Sequence, residues 1–473
     1  MKERAMAAAA AAAAAAALGP LGTGCVGPAP VARLAPEGAA LPLYALGSAQ
    51  VFVEATVWAG AGAPPRQMLW LVDTGARNTA LDVDVAERLG LTIEETGDES
   101  TGVLGTQPVR RTVLRRLELG AAATLESWPV KVLQITLGVD GDGALPVAGV
   151  LGTDLLERFD VTLDVPGGRL FLLPPGTSLR APGAAGAASG AGAGAAAATR
   201  AAAAAGAALG AGAVAVPFDW SSREVLVALR TGGTTETFTV EVDSGAELVL
   251  LFRRGAGFPE GWPAELVIGG AGDTDKLRAS RVRALTLPDV SLGPLALGAV
   301  PAVVLEGPPR AKDGLLGMEV LGRRAVRLDF RGRRLWFGAV SDGPGPADYR
   351  ARLDERFGRA LAADPDDYDA NLGLGMLRLT QGRWDEARRL LGWAASLRPR
   401  EAEAAYRLAL AEWGAGELDA ALDAATRAAA LTGGRPLYDR LVRALVDDLA
   451  ARRRPPPVRA EVLDLDPSDI EVR

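Results

Sequence analysis

A short acidic motif occurs twice in this chain, each time at the end of an apolar run. The first copy spans residues 69–76 (LWLVDTGA) and the second spans residues 238–246 (FTVEVDSGA). An apolar run that ends in Asp, a small hydroxyl residue and Gly predicts a buried strand that enters a tight turn. Two such copies predict two related lobes that meet at a pair of carboxylates.

Two further landmarks follow each motif in the same order. The glycines of residues 102–105 correspond to those of 269–272, and the segment 149–156 (GVLGTDLL) corresponds to 314–321 (GLLGMEVL). The three offsets are 170, 167 and 165 residues (243 minus 73, 269 minus 102, 317 minus 152). Because chance does not readily preserve three landmarks in order, the pattern indicates an internal repeat.

The composition excludes several kinds of catalytic site. The chain has no His and a single Cys, Cys25. These absences remove Ser-His-Asp and Cys-His catalysis, His-based zinc chemistry and internal disulfides. The net charge of −7, with no long basic stripe, argues against nucleic-acid binding. We therefore expect no metal and no cofactor, and a hydrolase of this composition would rely on carboxylates and hydroxyls.

The paired triplets and their glycine segments resemble the aspartic protease clan. The Asp-Thr/Ser-Gly-Ala form and the small halves are most similar to retroviral-type (retropepsin-like) proteases fused head to tail. The resemblance covers about residues 42–340. It implies an all-β bilobal fold with a first retropepsin-like lobe at 42–174 and a second at 214–340. An Ala/Gly-rich linker at 175–213 would separate them.

The resemblance also assigns roles to individual residues. Asp73 and Asp243 would form a catalytic dyad that shares one proton and activates a water molecule. Thr74 and Ser244 would hydrogen-bond across the lobe interface, and Gly75 and Gly245 would let backbone amides approach the acids. Because one chain supplies both acids, a homodimer is not required. Flaps closing over the substrate would lie at Gly102, Gly105, Gly269, Gly270 and Gly272.

Three residues depart from the expected pattern. Glu241 stands where an apolar residue is usual, and Arg77 and Glu247 follow the two motifs with opposite charges. Two hypotheses therefore stay open. The chain is either an aspartic endopeptidase that cleaves a protein or peptide substrate, or a catalytically inactive scaffold that binds peptides in the same cleft.

The period of the sequence becomes helical from about residue 347. Small residues and turn formers recur at a spacing of 34 residues: Gly382, Ala387, Ala394 and Pro399 return as Gly416, Ala421, Ala428 and, approximately, Gly433. This pattern resembles tetratricopeptide repeats and predicts all-α repeats over 347–450, which imply a protein partner. A disordered tail is predicted at 451–473.

The N-terminal sequence is typical of an exported protein. Residues 1–25 read as a signal peptide whose apolar run, 6–18, is shorter than the ~20 residues of a membrane-spanning helix. The small residues before Cys25 resemble a bacterial lipoprotein processing site, although Gly22 replaces the usual Leu. We predict lipidation of Cys25, a flexible tether at 26–41 and anchoring in the cell envelope, in the periplasm or at the outer membrane. The alternative is an Ala tract with a chance Cys.

Overall fold

A computed structural model provides the structure of the protein. It describes residues 30–45, 50–60, 62, 64–102, 105–136, 146–177, 193–252, 262–267, 270–271, 279–305, 311–341, 346–431, 442–443, 445–447, 449 and 451. The predicted signal peptide with Cys25, the flap residues Gly269 and Gly272, and the predicted tail from 452 onward lie outside the described residues.

The first lobe is built mainly from β-strands. Its elements are β1 (Val31–Leu34), β2 (Ala39–Tyr44), β3 (Phe52–Trp58), β4 (Arg66–Val72), β5 (Ala80–Asp82), α1 (Val83–Arg88), β6 (Glu94–Gly102), β7 (Gly105–Leu119), β8 (Ala123–Leu133), β9 (Ile135–Thr136), β10 (Val147–Leu151), α2 (Thr153–Leu156), β11 (Asp160–Asp164) and β12 (Arg169–Leu173). Strand β4 is buried on both faces from Met68 to Val72. Its continuous apolar run reflects this central position.

The second lobe repeats this order after a helix, α3 (Ala193–Leu209). Its elements are β13 (Val214–Pro217), β14 (Leu226–Arg230), β15 (Phe238–Val242), β16 (Val249–Leu251), β17 (Trp262–Val267), β18 (Gly270–Ala271), β19 (Ala279–Leu292), β20 (Leu295–Leu305), β21 (Gly314–Leu316), α4 (Met318–Leu321), β22 (Ala325–Asp329) and β23 (Arg334–Phe337). Strand β10 lies parallel to β4 and antiparallel to β5, and β21 lies in the same way against β15 and β16. The predicted bilobal β-fold is therefore confirmed.

Six neighbouring strands at one end of a larger sheet join the two lobes, and we call them the interlobe sheet. Their order is β13-β23-β22-β11-β12-β2, with both lobes contributing three strands. The central pair, β11 and β22, is antiparallel and places Thr162 opposite Arg327. One hydrophobic core continues through both lobes and this sheet, and it includes Val161, Leu328 and Phe337. The shared core holds the lobes in a fixed relation.

The prediction of a flexible tether at 26–41 is wrong from residue 31 onward. Strand β1 pairs with β8, and β2 pairs with both β12 and β3. Alternate residues of β2 are buried, with Leu41 and Leu43 inside the core. Because residues 26–41 are rich in Pro, Gly and Ala, their composition did not indicate this alternation. Pairing of β2 with strands on both sides stabilises it.

The Ala/Gly-rich linker predicted at 175–213 contains a packed helix. Helix α3 occupies much of it and packs on the interlobe sheet, where Ala205 is fully buried against Phe171 and Leu173. Ala has the highest helix propensity, and its small side chain lets a helix approach a sheet closely. The alanines therefore form a packed element in this part of the segment.

The C-terminal region is the predicted all-α unit. Its helices are α5 (Pro346–Ala363), α6 (Tyr368–Thr380), α7 (Trp384–Leu397), α8 (Ala402–Ala415) and α9 (Leu418–Leu431). Gly382 and Gly416 both have positive φ, at +66° and +84°, where the first helix of each pair ends. The small residues predicted at packing positions are fully buried: Ala387, Ala394, Ala421 and Ala428. Within the described residues, every helix is too short or too polar to span a bilayer.

The helical unit packs directly on the first lobe. Leu353 and Phe357 of α5 are fully buried against a cluster that includes Phe52, Leu69 and Leu71. Polar contacts surround this apolar interface: Arg356 pairs with Glu54 at 2.7 Å, Arg88 pairs with Asp369 at 3.3 Å, and Tyr349 Oη donates to the Val165 carbonyl at 2.6 Å. The repeats thus cover the outer face of the sheet that carries Asp73.

Candidate active site

Two central strands deliver the two acids to the lobe interface. Asp73 directly follows β4, and its backbone N–H donates to the carbonyl of Leu151 on β10 at 3.2 Å. Asp243 directly follows β15, and its N–H donates to the carbonyl of Leu316 on β21 at 3.0 Å. The same parallel strand pair therefore fixes each acid at the end of its strand.

A tight turn holds each carboxylate. Asp73 Oδ1 accepts hydrogen bonds from the N–H groups of Gly75 and Ala76 at 2.9 and 3.0 Å. Asp243 Oδ1 accepts from Gly245 and Ala246 at 2.8 and 3.1 Å. One oxygen of each carboxylate is thus occupied by its own backbone.

The hydroxyl residues join the two turns in a reciprocal network. The N–H of Thr74 donates to Ser244 Oγ, and the N–H of Ser244 donates to Thr74 Oγ1, both at 3.0 Å. Each hydroxyl then donates to a strand carbonyl of the other lobe, Thr74 to Val242 and Ser244 to Val72, both at 2.7 Å. Both side chains are almost completely buried. The acids are therefore held on a rigid base that spans both lobes.

The glycines bring each turn against the opposite acid. A Cβ on Gly75 would lie 2.4 Å from Cγ of Asp243, and a Cβ on Gly245 would lie 2.7 Å from Cγ of Asp73. No side chain fits at either position, because real Cβ atoms do not approach other atoms so closely. The two carboxylates interact with each other across the interface.

The pKa values of the two acids are raised to different degrees. Burial raises the pKa of Asp73, while hydrogen bonds from Gly75 and Ala76 oppose this effect. Burial raises the pKa of Asp243 well above its ordinary value, and the charge of Asp73 raises it further. Two adjacent carboxylates cannot both ionise without strong repulsion. The arrangement favours one proton shared between the two acids.

The described flap residues of the two lobes lie in different kinds of strand pair. Gly102 and Gly105 face each other at the tip of the antiparallel β6–β7 hairpin. In the second lobe β17 and β19 form the corresponding antiparallel pair. Gly270 lies in β18, which pairs with β9 of the first lobe. Closure of these segments over a substrate stays a prediction.

Three polar residues near the dyad were not identified from the sequence. Gln50 donates from Nε2 to the carbonyl of Gly245 at 2.5 Å, Glu224 pairs with Arg77 of the first lobe, and Lys312 pairs with Glu224 within the second lobe. Gln50 and Glu224 occupy equivalent positions, because the next residues, Val51 and Val225, accept from the strands that precede the acids. Only the scarcity of Lys in the chain could have drawn attention to Lys312.

The departures at Arg77 and Glu241 belong to the same set of contacts. Arg77 pairs with Glu224 at 2.8 Å, and the buried carboxylate of Glu241 contacts Lys312. The charged residue before Asp243 therefore has a partner of opposite charge, which explains how it is accommodated inside a strand.

Comparison with known proteins agrees with this architecture. Residues 53–155 match the family model described as "Aspartyl protease", and residues 355–388 and 372–436 match the model described as "Tetratricopeptide repeat". These matches confirm the predicted resemblance, an aspartic-protease-like β-region followed by tetratricopeptide-like repeats. They support aspartic-protease-type activity.

One solved structure similar to this chain is an aspartic proteinase from Irpex lacteus. It is 14% identical, with a TM-score of 0.37, and the alignment covers 65% of this chain and 99% of that protein. No curated protein sequence matches this chain.

Proposed function

We propose that this protein is an aspartic endopeptidase that hydrolyses peptide bonds with a water molecule activated between Asp73 and Asp243. The observation that carries the proposal is the reciprocal Thr74–Ser244 network, which holds two carboxylates side by side at the lobe interface. Both acids come from one chain, and the proposed site therefore requires no second copy.

The proposed chemistry uses the unequal protonation of the dyad. The ionised acid removes a proton from water while the water oxygen attacks the carbonyl carbon of the peptide bond. The protonated acid gives its proton to the carbonyl oxygen, which produces a tetrahedral diol and exchanges the protonation states of the two acids. The newly protonated acid then donates its proton to the amide nitrogen while the other acid takes a proton from a diol hydroxyl. The C–N bond breaks, the products are a carboxylic acid and an amine, and the dyad returns to its starting protonation state. Positioned proton transfer of this kind contributes about 10²–10⁴-fold to a rate.

Substitution of each acid tests the proposal. We expect the full chain to cleave an unfolded protein such as casein, or a quenched peptide, at some pH between about 3 and 7, below the range where both acids ionise. Asp73→Asn and Asp243→Asn should each reduce the rate by about 10²-fold or more. Asp329→Asn is the matched control, because Asp329 also accepts a turn hydrogen bond, from Gly332 at 2.8 Å, but lies outside the dyad.

Two outcomes would reject the proposal. Cleavage that persists in either dyad variant would exclude the shared-proton mechanism. A wild-type protein that captures unfolded peptides but never cleaves them would instead support the inactive scaffold, with the same cleft used for binding alone.

We propose in addition that the helical repeats recruit a protein partner or a segment of the substrate. Tetratricopeptide-like repeats stack helices into surfaces that suit extended protein ligands. Removal of the repeats would expose the apolar interface around Phe357, so surface substitutions are the better test. Loss of a co-purified partner after substitution of exposed residues, with peptide cleavage unchanged, would support this role.

We also propose export to the cell envelope and lipid anchoring through Cys25. The support is the sequence pattern of residues 1–25, with the single Cys after a run of small residues. Cys25→Ala should release the protein from membranes into the soluble envelope fraction. Continued membrane retention of that variant would contradict lipidation at this residue.

A further inference from the structure

Four side chains of alternating charge, which we call the ion-pair chain, cross the lobe interface beside the dyad. Arg77 Nη2 lies 2.8 Å from Glu224 Oε1, and the same oxygen lies 3.3 Å from Lys312 Nζ. Lys312 Nζ also contacts Oε2 of Glu241. The order is therefore Arg77, Glu224, Lys312 and Glu241, with Arg77 in the first lobe and the other three in the second.

Two members of the ion-pair chain, Glu241 and Lys312, are largely shielded from solvent. The side chains of Glu241 and Lys312 are 2% and 21% exposed, whereas Arg77 is 57% exposed. Within the described part of the chain, Oε1 of Glu241 has no hydrogen-bond partner, so Lys312 supplies the main compensation for this buried charge. Buried charges are screened weakly and act over longer distances than surface charges.

The charges are placed close to the two acids along the chain. Glu241 lies two residues before Asp243 on β15, and Arg77 lies four residues after Asp73. Lys312 lies two residues before β21, the strand that runs parallel to β15 and accepts the backbone N–H of Asp243. The ammonium group of Lys312 is thus held in the second lobe, next to β15 and β21, the strands that position Asp243.

The first lobe lacks equivalents of Glu241 and Glu224, the two acidic members of the ion-pair chain. Leu71 occupies the position that corresponds to Glu241, because both lie two residues before the acid and oppose equivalent strand residues. Gln50, which is neutral, corresponds to Glu224. The internal symmetry of the backbone is therefore broken by charge at these two positions.

We propose that Lys312 is a positioning residue that divides the roles of the two acids, making Asp73 the ionised base and Asp243 the protonated acid. The inference deepens the proposed function and rests on it only for these roles. The charged groups that face Lys312 are Glu224, Glu241, Arg77 and Asp73.

The pKa directions agree with this placement. Burial is the largest influence on Asp73 and raises its pKa, but the charge of Lys312 lowers it. Burial also raises the pKa of Asp243, and the next largest influence, the negative charge of Asp73, raises it further. Removal of the ammonium group should therefore make Asp73 harder to ionise.

A neutral pair of the same size tests the inference. The variant Lys312→Gln with Glu241→Gln keeps polar groups in both positions and removes both charges. We expect the acid limb of its pH–kcat/KM profile to move to higher pH, because Asp73 must ionise to act as base. Lys312→Arg, which keeps the charge, should retain the wild-type profile. The matched control is Arg33→Gln with Glu126→Gln, an exposed pair at 3.1 Å in the first lobe, which should also leave it unchanged.

A second readout does not depend on catalysis. Titration of the Asp side-chain carboxyl ¹³C signals by NMR, assigned with the Asp→Asn variants, should show the same upward movement for Asp73 in the full chain. Movement of this signal in a protein that never cleaves peptide would retain the inference and reject the proposed function.

The inference is overturned if neither the pH profile nor the Asp73 signal moves in the neutral pair. If Lys312→Gln with Glu241→Gln does not fold, Lys312→Met with Glu241→Leu replaces the pair by apolar groups, as Leu71 does in the first lobe. Replacement of a buried ion pair by apolar residues is often tolerated. The same upward movement is expected, and its absence in this variant would also overturn the inference.

Discussion

The two lobes hold their acids with the same backbone but cover their sheets in different ways. In the first lobe Leu69, Leu71 and the opposing Phe52 form an apolar face that packs against α5 of the helical unit. At the equivalent positions the second lobe has Thr239, Glu241 and Leu226. In the first lobe, where α5 covers the sheet, this face is apolar. In the second lobe it carries the carboxylate of Glu241, which pairs with Lys312.

This difference shows which residues the geometry of the two acids requires and which depend on the element that packs against each sheet. The turn residues, their hydrogen bonds and the cross-lobe hydroxyls are nearly identical in the two lobes. The residue two positions before the acid is not, because its side chain points to the outer face of the sheet. Its identity follows from the element that packs there, and four experiments test that reading.

The largest effect is expected when the first lobe receives the residue of the second. Leu71→Glu would place an unpaired carboxylate beneath α5 and remove the packing of a buried Leu. We expect a loss of about 5 kcal/mol or more in the free energy of unfolding at pH 7, measured by urea denaturation of the full chain. The loss should decrease at acidic pH, where the new carboxyl becomes protonated.

The reverse exchange is the control. Glu241→Leu should cost less than half as much, because Lys312 keeps its contact with Glu224 at 3.3 Å. Equal losses for the two exchanges would show that the covering elements do not decide the residue at this position.

A smaller effect is expected when the helix that covers the first lobe loses its anchor. Phe357→Ala removes a fully buried ring from the interface between α5 and the lobe. We expect a loss of about 3–5 kcal/mol by chemical denaturation and faster proteolysis between the two units. Trp393→Ala, at a half-exposed aromatic residue of the same helical unit whose indole N–H donates to Asp366 at 3.1 Å, should cost clearly less, about 1–2 kcal/mol. Similar costs for both would contradict the role of α5.

The two hydroxyl residues should be equivalent despite the asymmetry around them. Thr74→Ala and Ser244→Ala each remove a donor and leave an N–H of the other lobe without its acceptor. We expect each to cost about 1–3 kcal/mol, and the two costs to agree within about 0.5 kcal/mol. Thr74→Ser and Ser244→Thr keep the hydroxyl and serve as controls. Clearly unequal losses in the free energy of unfolding would show that the two hydroxyls contribute differently to stability, although their hydrogen bonds have the same geometry.

The smallest effect concerns the pH dependence of stability. The pKa of Asp243 is raised in the folded state, so the folded protein binds this proton more tightly than the unfolded chain. The resulting stability is complete below the ordinary pKa of 3.8 and is lost as the pH rises through the folded-state value. Asp243→Asn removes this loss, and its melting temperature relative to wild type should therefore rise by a few degrees between pH 4 and pH 7. A flat difference between pH 4 and pH 7 for Asp243→Asn would contradict the raised pKa.

Local patterns predicted the acids and the helical repeats for clear physical reasons. An apolar run must be buried, and an Asp-Ser/Thr-Gly triplet must turn, so residues 69–76 and 238–246 specify strand and turn without further context. The 34-residue spacing of small residues similarly specifies close helix packing, as at Ala387 and Ala421. The predicted roles of the dyad and of the flaps remain predictions.

Local patterns gave wrong predictions where the composition of a segment indicated flexibility but the fold supplied strands or a sheet for it to pack against. Residues 31–41 and the alanines of α3 have the composition of flexible segments, but neighbouring strands give them pairing partners and a surface to cover. The ion-pair chain was not predicted because its members are far apart in sequence: Arg77 and Glu224 are separated by 147 residues and Glu241 and Lys312 by 71.

The sequence by itself determined that two acidic turns, two hydroxyls and two glycines would recur in this chain, because each is dictated by its immediate neighbours. Only the tertiary structure decided that the two turns interlock, that a helical unit covers one sheet, and that a partly buried lysine lies beside the other. Contacts between distant segments depend on the packing of whole lobes, and no local pattern of side chains encodes which distant charge will be brought within hydrogen-bonding distance.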